Sequence, residues 1–402
     1  MPLDIYHASV EVAVRIGIVV TVGPSNGGTY WYSFSVLNAL RDYGHGNDYF
    51  VFHQEPDFPV EQYSRANWTV QYIKKRKNHL LTRVARLISA WGVPALAPLA
   101  RGRYQTLLGY NLDLVVCPST SLVAWWCGYP FIVAIHDVWY RWHLHKYPGA
   151  RRFSEPFRDI IWSRAAKSAR LILVESEMGR AEVMSAYGVS EEKTHLLPTG
   201  PAPFIWNYDV ARQSVVRAKY DLPECYVFYP AIASILKNQL RVIEAIAILH
   251  RQHNLNIHAV FAGPMGQYGE QLRDIARYQD VEKLMHFLGP VPDGDMALLY
   301  RGALCLVMAS YVGPTNMPIW EAFAIGCPVI SSNAGAMLDQ VADAGLLFNP
   351  SDAPQLAECI LQLYRDLALR ELLVQRGFER IAPLHPEIWA QSLLQAIRKA
   401  VA

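Results

Sequence analysis

The chain has no Cys-x-x-Cys pair: its six cysteines, Cys117, Cys127, Cys225, Cys305, Cys327 and Cys359, stand far apart, several of them inside apolar, strand-like runs. That spacing argues against a zinc ribbon or a disulfide framework, and buried free thiols in a reducing compartment are the expectation. Charge is sparse, at 18% of residues, while 52% are hydrophobic. Such a balance excludes a disordered chain and points to large cores. No apolar run is long and clean enough to span a bilayer. The longest, Leu114 to Ile135, is broken by Pro118, Ser119, Thr120, Ser121, Gly128 and Pro130 and reads as two buried strands and a turn. Val10 to Val22 is short and carries Glu11 and Arg15, so it is not read as a secretory leader. A cytoplasmic location is expected, and the glycosylation pattern Asn67-Trp-Thr69 is taken as chance.

Acid is missing from one long stretch. Between Gln62 and Leu112 there is no Asp or Glu but there are nine basic residues, Arg65, Lys74, Lys75, Arg76, Lys77, Arg83, Arg86, Arg101 and Arg103. The remainder holds 28 basic against 35 acidic residues, so all of the positive excess lies in this segment. Within it Leu80, Val84, Leu87, Ile88 and Trp91 recur at helical spacing. Two readings stay open. One is a core-facing helix with a solvated basic side. The other is a basic amphipathic surface, within residues 72–103, resting on anionic lipid at the inner face of a membrane. Nucleic acid is not an expected partner.

At 402 residues the chain fits two domains of roughly 200 residues each. Strand and helix signals alternate: strand Val14–Val22, turn Gly23 to Gly28, helix Trp31–Leu40, then short apolar strands Leu114–Cys117, Phe131–Ile135 and Leu171–Val174. After the run Pro198-Thr-Gly-Pro-Ala-Pro203 the alternation restarts, with strand Val227–Pro230, helix Gln239–His250, strand His258–Ala262, a helix from Tyr268, strand His286–Leu288, helix Asp295–Gly302 and strand Cys305–Val307. This alternation marks parallel βαβ units, which bind ligands at the carboxyl ends of their strands. The expected division is 1–200, 201–385 and a final helix, 386–402.

The densest pattern is Gly313-Pro-Thr-Asn-Met-Pro-Ile-Trp-Glu321-Ala-Phe-Ala-Ile-Gly326-Cys-Pro328-Val-Ile330. A turn leads into a short helix, Ile319–Ile325, which Gly326 stops before a strand beginning at Val329. The helix start, at Asn316 and Met317, offers unpaired N–H groups and a partial positive charge to hydroxyls or phosphates. Glu321 follows one turn in, expected to face the same cleft.

This stretch resembles the signature of the retaining, GT-B type family-4 glycosyltransferases, in which two glutamates flank seven residues. Pro318, Glu321, Ala322, Gly326, Pro328 and Val329 match; the first glutamate's position is Gly313. The resemblance implies an α/β, GT-B fold, two Rossmann-like domains facing across a cleft, with the C-terminal helix returning to the first. It assigns Glu321 to the donor ribose. It also implies that Gly27-Gly28, which has no side chain to obstruct a ligand, contacts the donor diphosphate. Phe287-Leu-Gly289-Pro-Val291 resembles the turn that holds the nucleotide base through backbone groups.

Lys237, just after a strand and at the start of a helix, suits a point charge aimed at a departing diphosphate. The arginine usual a few residues before it is missing, leaving Lys237 alone or helped by Arg241. His136, in a His-Asp pair at a strand's carboxyl end, suits hydroxyl binding or proton relay. His143 and His145 lack a third ligand and are not read as a metal site. With no Asp-x-Asp pair to hold a diphosphate metal, no metal or other cofactor is expected beyond the nucleoside-diphosphate sugar donor.

The function expected is transfer of a hexose, such as mannose or rhamnose, to a glycan or lipid-linked acceptor in polysaccharide biosynthesis, with retention. Gly313 keeps a second reading open, a catalytically silent GT-B protein that binds a glycan or partner. A sugar-nucleotide epimerase of the same fold lacks the pair of acids proton work requires.

Overall fold

The computed structural model describes residues 13–23, 27–74, 84–85, 88, 100–119, 122–138, 141, 155–313 and 315–402. Two sheets organise them. The first has seven strands, β1 (Arg15–Val20), β2 (Asp48–His53), β3 (Trp68–Tyr72), β4 (Leu114–Cys117), β5 (Phe131–Ala134), β6 (Leu171–Val174) and β7 (Thr194–Leu196), in the order β3-β2-β1-β4-β5-β6-β7. The second has six, β8 (Tyr226–Pro230), β9 (His258–Ala262), β10 (Met285–Gly289), β11 (Cys305–Met308), β12 (Val329–Ser332) and β13 (Leu346–Phe348), in the order β10-β9-β8-β11-β12-β13.

β1 pairs in parallel with β2 and β4, and β8 with β9 and β11. Each sheet therefore reverses direction beside its own first strand, the doubly wound arrangement in which a crevice opens at the strands' carboxyl ends. Helices cover both faces, so central strands are apolar without alternation, and β4, β5, β6 and β11 are buried at every residue.

The chain divides into two compact units. One comprises Met1–Ala134, Phe157–Ile172 and Leu393–Ala402; the other comprises Ile135–Pro156 and Leu173–Ser392. His136, Glu175 and the whole second sheet belong to the second unit. The final helix, Pro386–Val401, begins in the second unit, where Trp389 Nε1 donates to the Pro198 carbonyl at 2.7 Å, and its last residues are assigned to the first.

All six cysteines are free, with Cys117, Cys127, Cys305 and Cys327 buried. Among the described residues no helix is long and apolar enough to cross a membrane. Of the basic segment, Lys75, Arg76, Lys77, Leu80, Arg83, Arg86, Leu87 and Trp91 lie outside the described residues. Among the residues described, Val84 and Ile88 are exposed and Ala85 is buried with Ala100, Trp126 and Ile161, so both readings of the segment stay open. Arg101 donates to the Trp126 carbonyl, and the half-exposed Arg65 to the Arg41 carbonyl.

Candidate functional site

The switch point of the second sheet lies between β8 and β11, and the loops leaving these strands carry the main polar groups. After β8 the chain runs through Ala231 to Ser234 into a single 3-10 turn, Ile235–Lys237, capped by the Ser234 side chain, which accepts from the Lys237 N–H. Asn238 follows in the left-handed region, φ 56°, and its Nδ2 bonds the carbonyls of Ala309 and Pro350. Tyr229, buried at the end of β8, donates its hydroxyl to the Lys237 carbonyl. These contacts fix the backbone from which the Lys237 side chain projects.

That side chain meets Asn316. Lys237 Nζ donates to Asn316 Oδ1 at 3.2 Å, and burial lowers the pKa of the ammonium from its ordinary value. Asn316 precedes the helix Met317–Ile325 and is itself clamped: its N–H donates to Gln340 Oε1 and its carbonyl accepts from Gln340 Nε2, both at 2.9 Å. Because a lysine can only donate, the contact assigns the amide, with Oδ1 toward Lys237 and Nδ2 away from it. That Nδ2 is buried with no hydrogen-bond partner among the described residues. A Cβ built on Gly313 would approach it to 2.9 Å. The helix has Pro318 in its first turn, where the absent N–H removes no helical bond, and ends at Gly326 with φ 79°. A half-buried ammonium, an amide N–H unpaired among the described residues and a helix N-terminus thus converge, a combination chemically matched to an anion.

The carboxyl ends of β5 and β6 bring a second polar group. His136 Nδ1 bonds Glu175 Oε1 at 2.5 Å, and the Thr315 hydroxyl donates to Glu175 Oε2. Burial raises the Glu175 pKa, but the hydrogen bond and charge of His136, with the Thr315 contact, outweigh it and hold the carboxyl below its ordinary range.

Two family descriptions match this chain: Glycosyltransferase Family 4 over residues 26–201 and Glycosyl transferases group 1 over residues 214–380. The chain belongs to the family-4, group-1 glycosyltransferases. Among the family's curated members it is 27% identical over 222 residues to O-antigen chain mannosyltransferase B of Escherichia coli, covering 52% of this chain and 55% of that protein. The chain spans little more than half the length of the curated relatives it matches first, 55% and 60%. Among solved structures, sucrose-phosphate synthase from Thermosynechococcus elongatus superposes with a TM-score of 0.73 at 20% identity, covering 96% of this chain and 98% of that one. Anabaena Alr3699/HepE in complex with UDP and glucose gives 0.73 at 18% identity, covering 96% and 99%. These likenesses establish the GT-B fold.

Within this glycosyltransferase fold the structure brings Lys237, Asn316 and Met317 together. It places Val291 elsewhere on the same carboxyl edge, half-buried after β10, where Gly289 takes φ +69° and its carbonyl accepts from the Gly263 N–H at 2.7 Å. Gly27 and Gly28 open the helix Gly28–Tyr43 after β1 in the first unit; a Cβ on either meets nothing within 4 Å. The Glu321 side chain is nearly enclosed. It is 5% exposed, accepts from the Tyr300 hydroxyl at 2.5 Å and the Ala202 N–H at 3.4 Å, and burial pushes its pKa up to about 7. The cause is its helix, apolar on nearly every side and therefore packed on nearly every side. Arg241 is engaged by Glu244 and the Pro350 carbonyl. His143 and His145 lie outside the described residues. Glu175, Thr315, Tyr300 and Gln340 escaped the sequence reading. One signal for Glu175 was available: it directly follows an apolar strand, as His136 does.

Proposed function

We propose that this chain transfers a hexosyl group from a nucleoside-diphosphate sugar to an acceptor hydroxyl, with retention of anomeric configuration. The observation that carries the reading is the Lys237–Asn316 pair at the β8/β11 switch point, where a positive charge and an unpaired N–H donor meet at a helix N-terminus. A diphosphate leaving group gains negative charge as the glycosidic bond breaks. Fixed donors aimed at it act more strongly in the transition state than in the ground state. Lys237 is assigned the developing charge, His136 a donor or acceptor hydroxyl, and the departing phosphate the acceptor proton, with sugar and acceptor on the same face. In this scheme the diphosphate is neutralised by Lys237 and backbone dipoles rather than by a metal. The resemblance further assigns Gly27-Gly28 to the donor phosphates and Glu321 to the ribose.

The acceptor proposed is a glycan, lipid-linked and presented at an anionic membrane surface in a polysaccharide pathway. Val84, Ile88 and Lys74 are exposed, and a basic run follows Lys74 in the sequence; these support that part. A screen of nucleotide sugars for donor hydrolysis, and for transfer to polyprenyl-linked glycans, tests the assignment. Turnover with any donor establishes the enzyme. Tight nucleotide binding with no turnover favours the second reading, a silent glycan- or partner-binding protein, which Gly313 in place of an acid supports.

A further inference from the structure

We infer that Glu175 is the positioning residue for His136: it fixes the imidazole's tautomer and orientation for the proposed transfer, and through Thr315 ties the ring to the turn that leads into the donor-site helix. The inference rests on the proposed transferase activity for its catalytic part and on geometry alone for its structural part.

Glu175 is an unusual residue for its place. It follows the four buried apolar residues of β6, and its side chain is 9% exposed, yet it remains a carboxylate, because both oxygens accept from fixed donors. Oε1 faces His136 Nδ1 at 2.5 Å, and Oε2 takes the Thr315 hydroxyl. An ionised carboxylate can only accept, so the bond to Oε1 requires a proton on Nδ1. In the neutral ring the lone pair then lies on the other nitrogen, Nε2, which is thereby the ring's acceptor.

The two residues come from the ends of adjacent strands, β5 and β6, so their spacing is set by the sheet rather than by a loop. Ile135, immediately before His136, donates its N–H to the Leu173 carbonyl at 3.0 Å, which extends the pairing to the site itself. Thr315 lies one residue before Asn316 and two after Gly313. A carboxylate absent from the turn in sequence, at position 313, thus reaches it in space from β6. Movement of the turn and orientation of His136 are consequently coupled through a single side chain.

The test uses the full chain with its histidines labelled with 15N, read by NMR along a pH titration to the point where the His136 signals show a neutral ring, at which its tautomer is defined. Wild type is expected to hold His136 as the Nδ1–H tautomer, and Glu175→Ala to release it to a mixture. Glu175→Leu, of similar size and with no acceptor oxygen, serves if the alanine variant fails to fold. Turnover is measured in parallel on a donor found by the screen. Loss of Glu175 is expected to lower kcat by at least about 10-fold, toward a ceiling of about 10⁴-fold for removing the carboxylate that orients a proton-transferring histidine, with donor KM little changed. Adding the same change to His136→Ala is expected to cost nothing more, because the two act as one unit. An unchanged tautomer in the Glu175 variants, or additive losses in the double variant, overturns the inference. Absence of turnover with every donor overturns the transferase reading instead, and the tautomer measurement still decides the positioning role.

Discussion

Lys237 Nζ and Asn316 Oδ1 lie 3.2 Å apart, and this contact holds the ammonium at the start of the helix Met317–Ile325 while turning the amide's Nδ2 toward Gly313. The lysine comes from the loop after β8 and the asparagine from the loop after β11, the two strands that flank the sheet's reversal. Replacing Lys237 by alanine is expected to lower kcat by about 10²- to 10³-fold, the scale on which one preorganised donor acts in a transition state. Nucleoside-diphosphate affinity should fall by much less. An unchanged kcat removes Lys237 from any part in stabilising the leaving group.

Asn316→Asp tests the same contact from the other side. A carboxylate at this position forms an ion pair with Lys237 and competes with a diphosphate for the ammonium, so nucleotide affinity is expected to drop about tenfold or more while the melting temperature holds or rises. Calorimetric titration with the free nucleoside diphosphate, beside a thermal melt, checks both directions. Equal affinities contradict an anion site between these residues.

The strands that flank both switch points were legible in the sequence because they are buried on both faces and read as uninterrupted apolar runs. β4, β6 and β9 begin and end where those runs do, and Gly326 stops its helix as a residue free to take positive φ should. β2 and β3 were not marked: β2 is Tyr49, Phe50, Val51 and Phe52 between Asp48 and His53, and β3 is exposed at much of its length. At the site, the sequence placed Lys237, Asn316 and His136 at strand ends, where local pattern suffices. It could not place their partners. Gln340, Glu175 and Tyr300 lie 24, 39 and 21 residues from the groups they bind. Such pairings are fixed by the folded sheets, not by spacing. The enclosure of Glu321 was not legible either, since it depends on a helix packed on almost all sides.

The basic segment gives a salt-dependent prediction. Lys74 is exposed, as are Val84 and Ile88 farther along. Each Lys or Arg near an anionic bilayer contributes on the order of 1 kcal/mol, so reversing the charge of Lys74, Lys75, Arg76 and Lys77 together should release the protein from phosphatidylserine vesicles. Raising salt should do the same, as the Debye length contracts from about 10 Å at 0.1 M to about 3 Å at 1 M. Turnover on a soluble acceptor analogue should survive the reversal. Equal sedimentation of wild type and variant with such vesicles at low salt defeats the membrane proposal.

Glu321 predicts how stability depends on pH. Burial pushes its pKa up to about 7, with the Asp293 charge adding to the effect and the Tyr300 and Ala202 hydrogen bonds opposing it. In the unfolded chain a glutamate titrates near 4.3. Between these values the folded state holds a proton that the unfolded state has released, so stability must fall as pH rises through this window. The full difference is on the order of 4 kcal/mol, an upper bound for a group that relaxation can partly resolvate. Below about pH 4 the carboxyl is protonated in both states and contributes no slope; above about pH 7 it is a buried carboxylate and the whole penalty is present. Glu321→Gln keeps the shape and one acceptor oxygen for the Tyr300 hydroxyl while removing the titration. The variant is therefore expected to lose the wild-type decline and to be the more stable protein at about pH 8, as urea unfolding at successive pH values would read. Parallel stability curves for the two proteins would show that Glu321 does not titrate in this window and that its helix is less tightly enclosed than the packing of Trp320, Phe323 and Tyr300 implies.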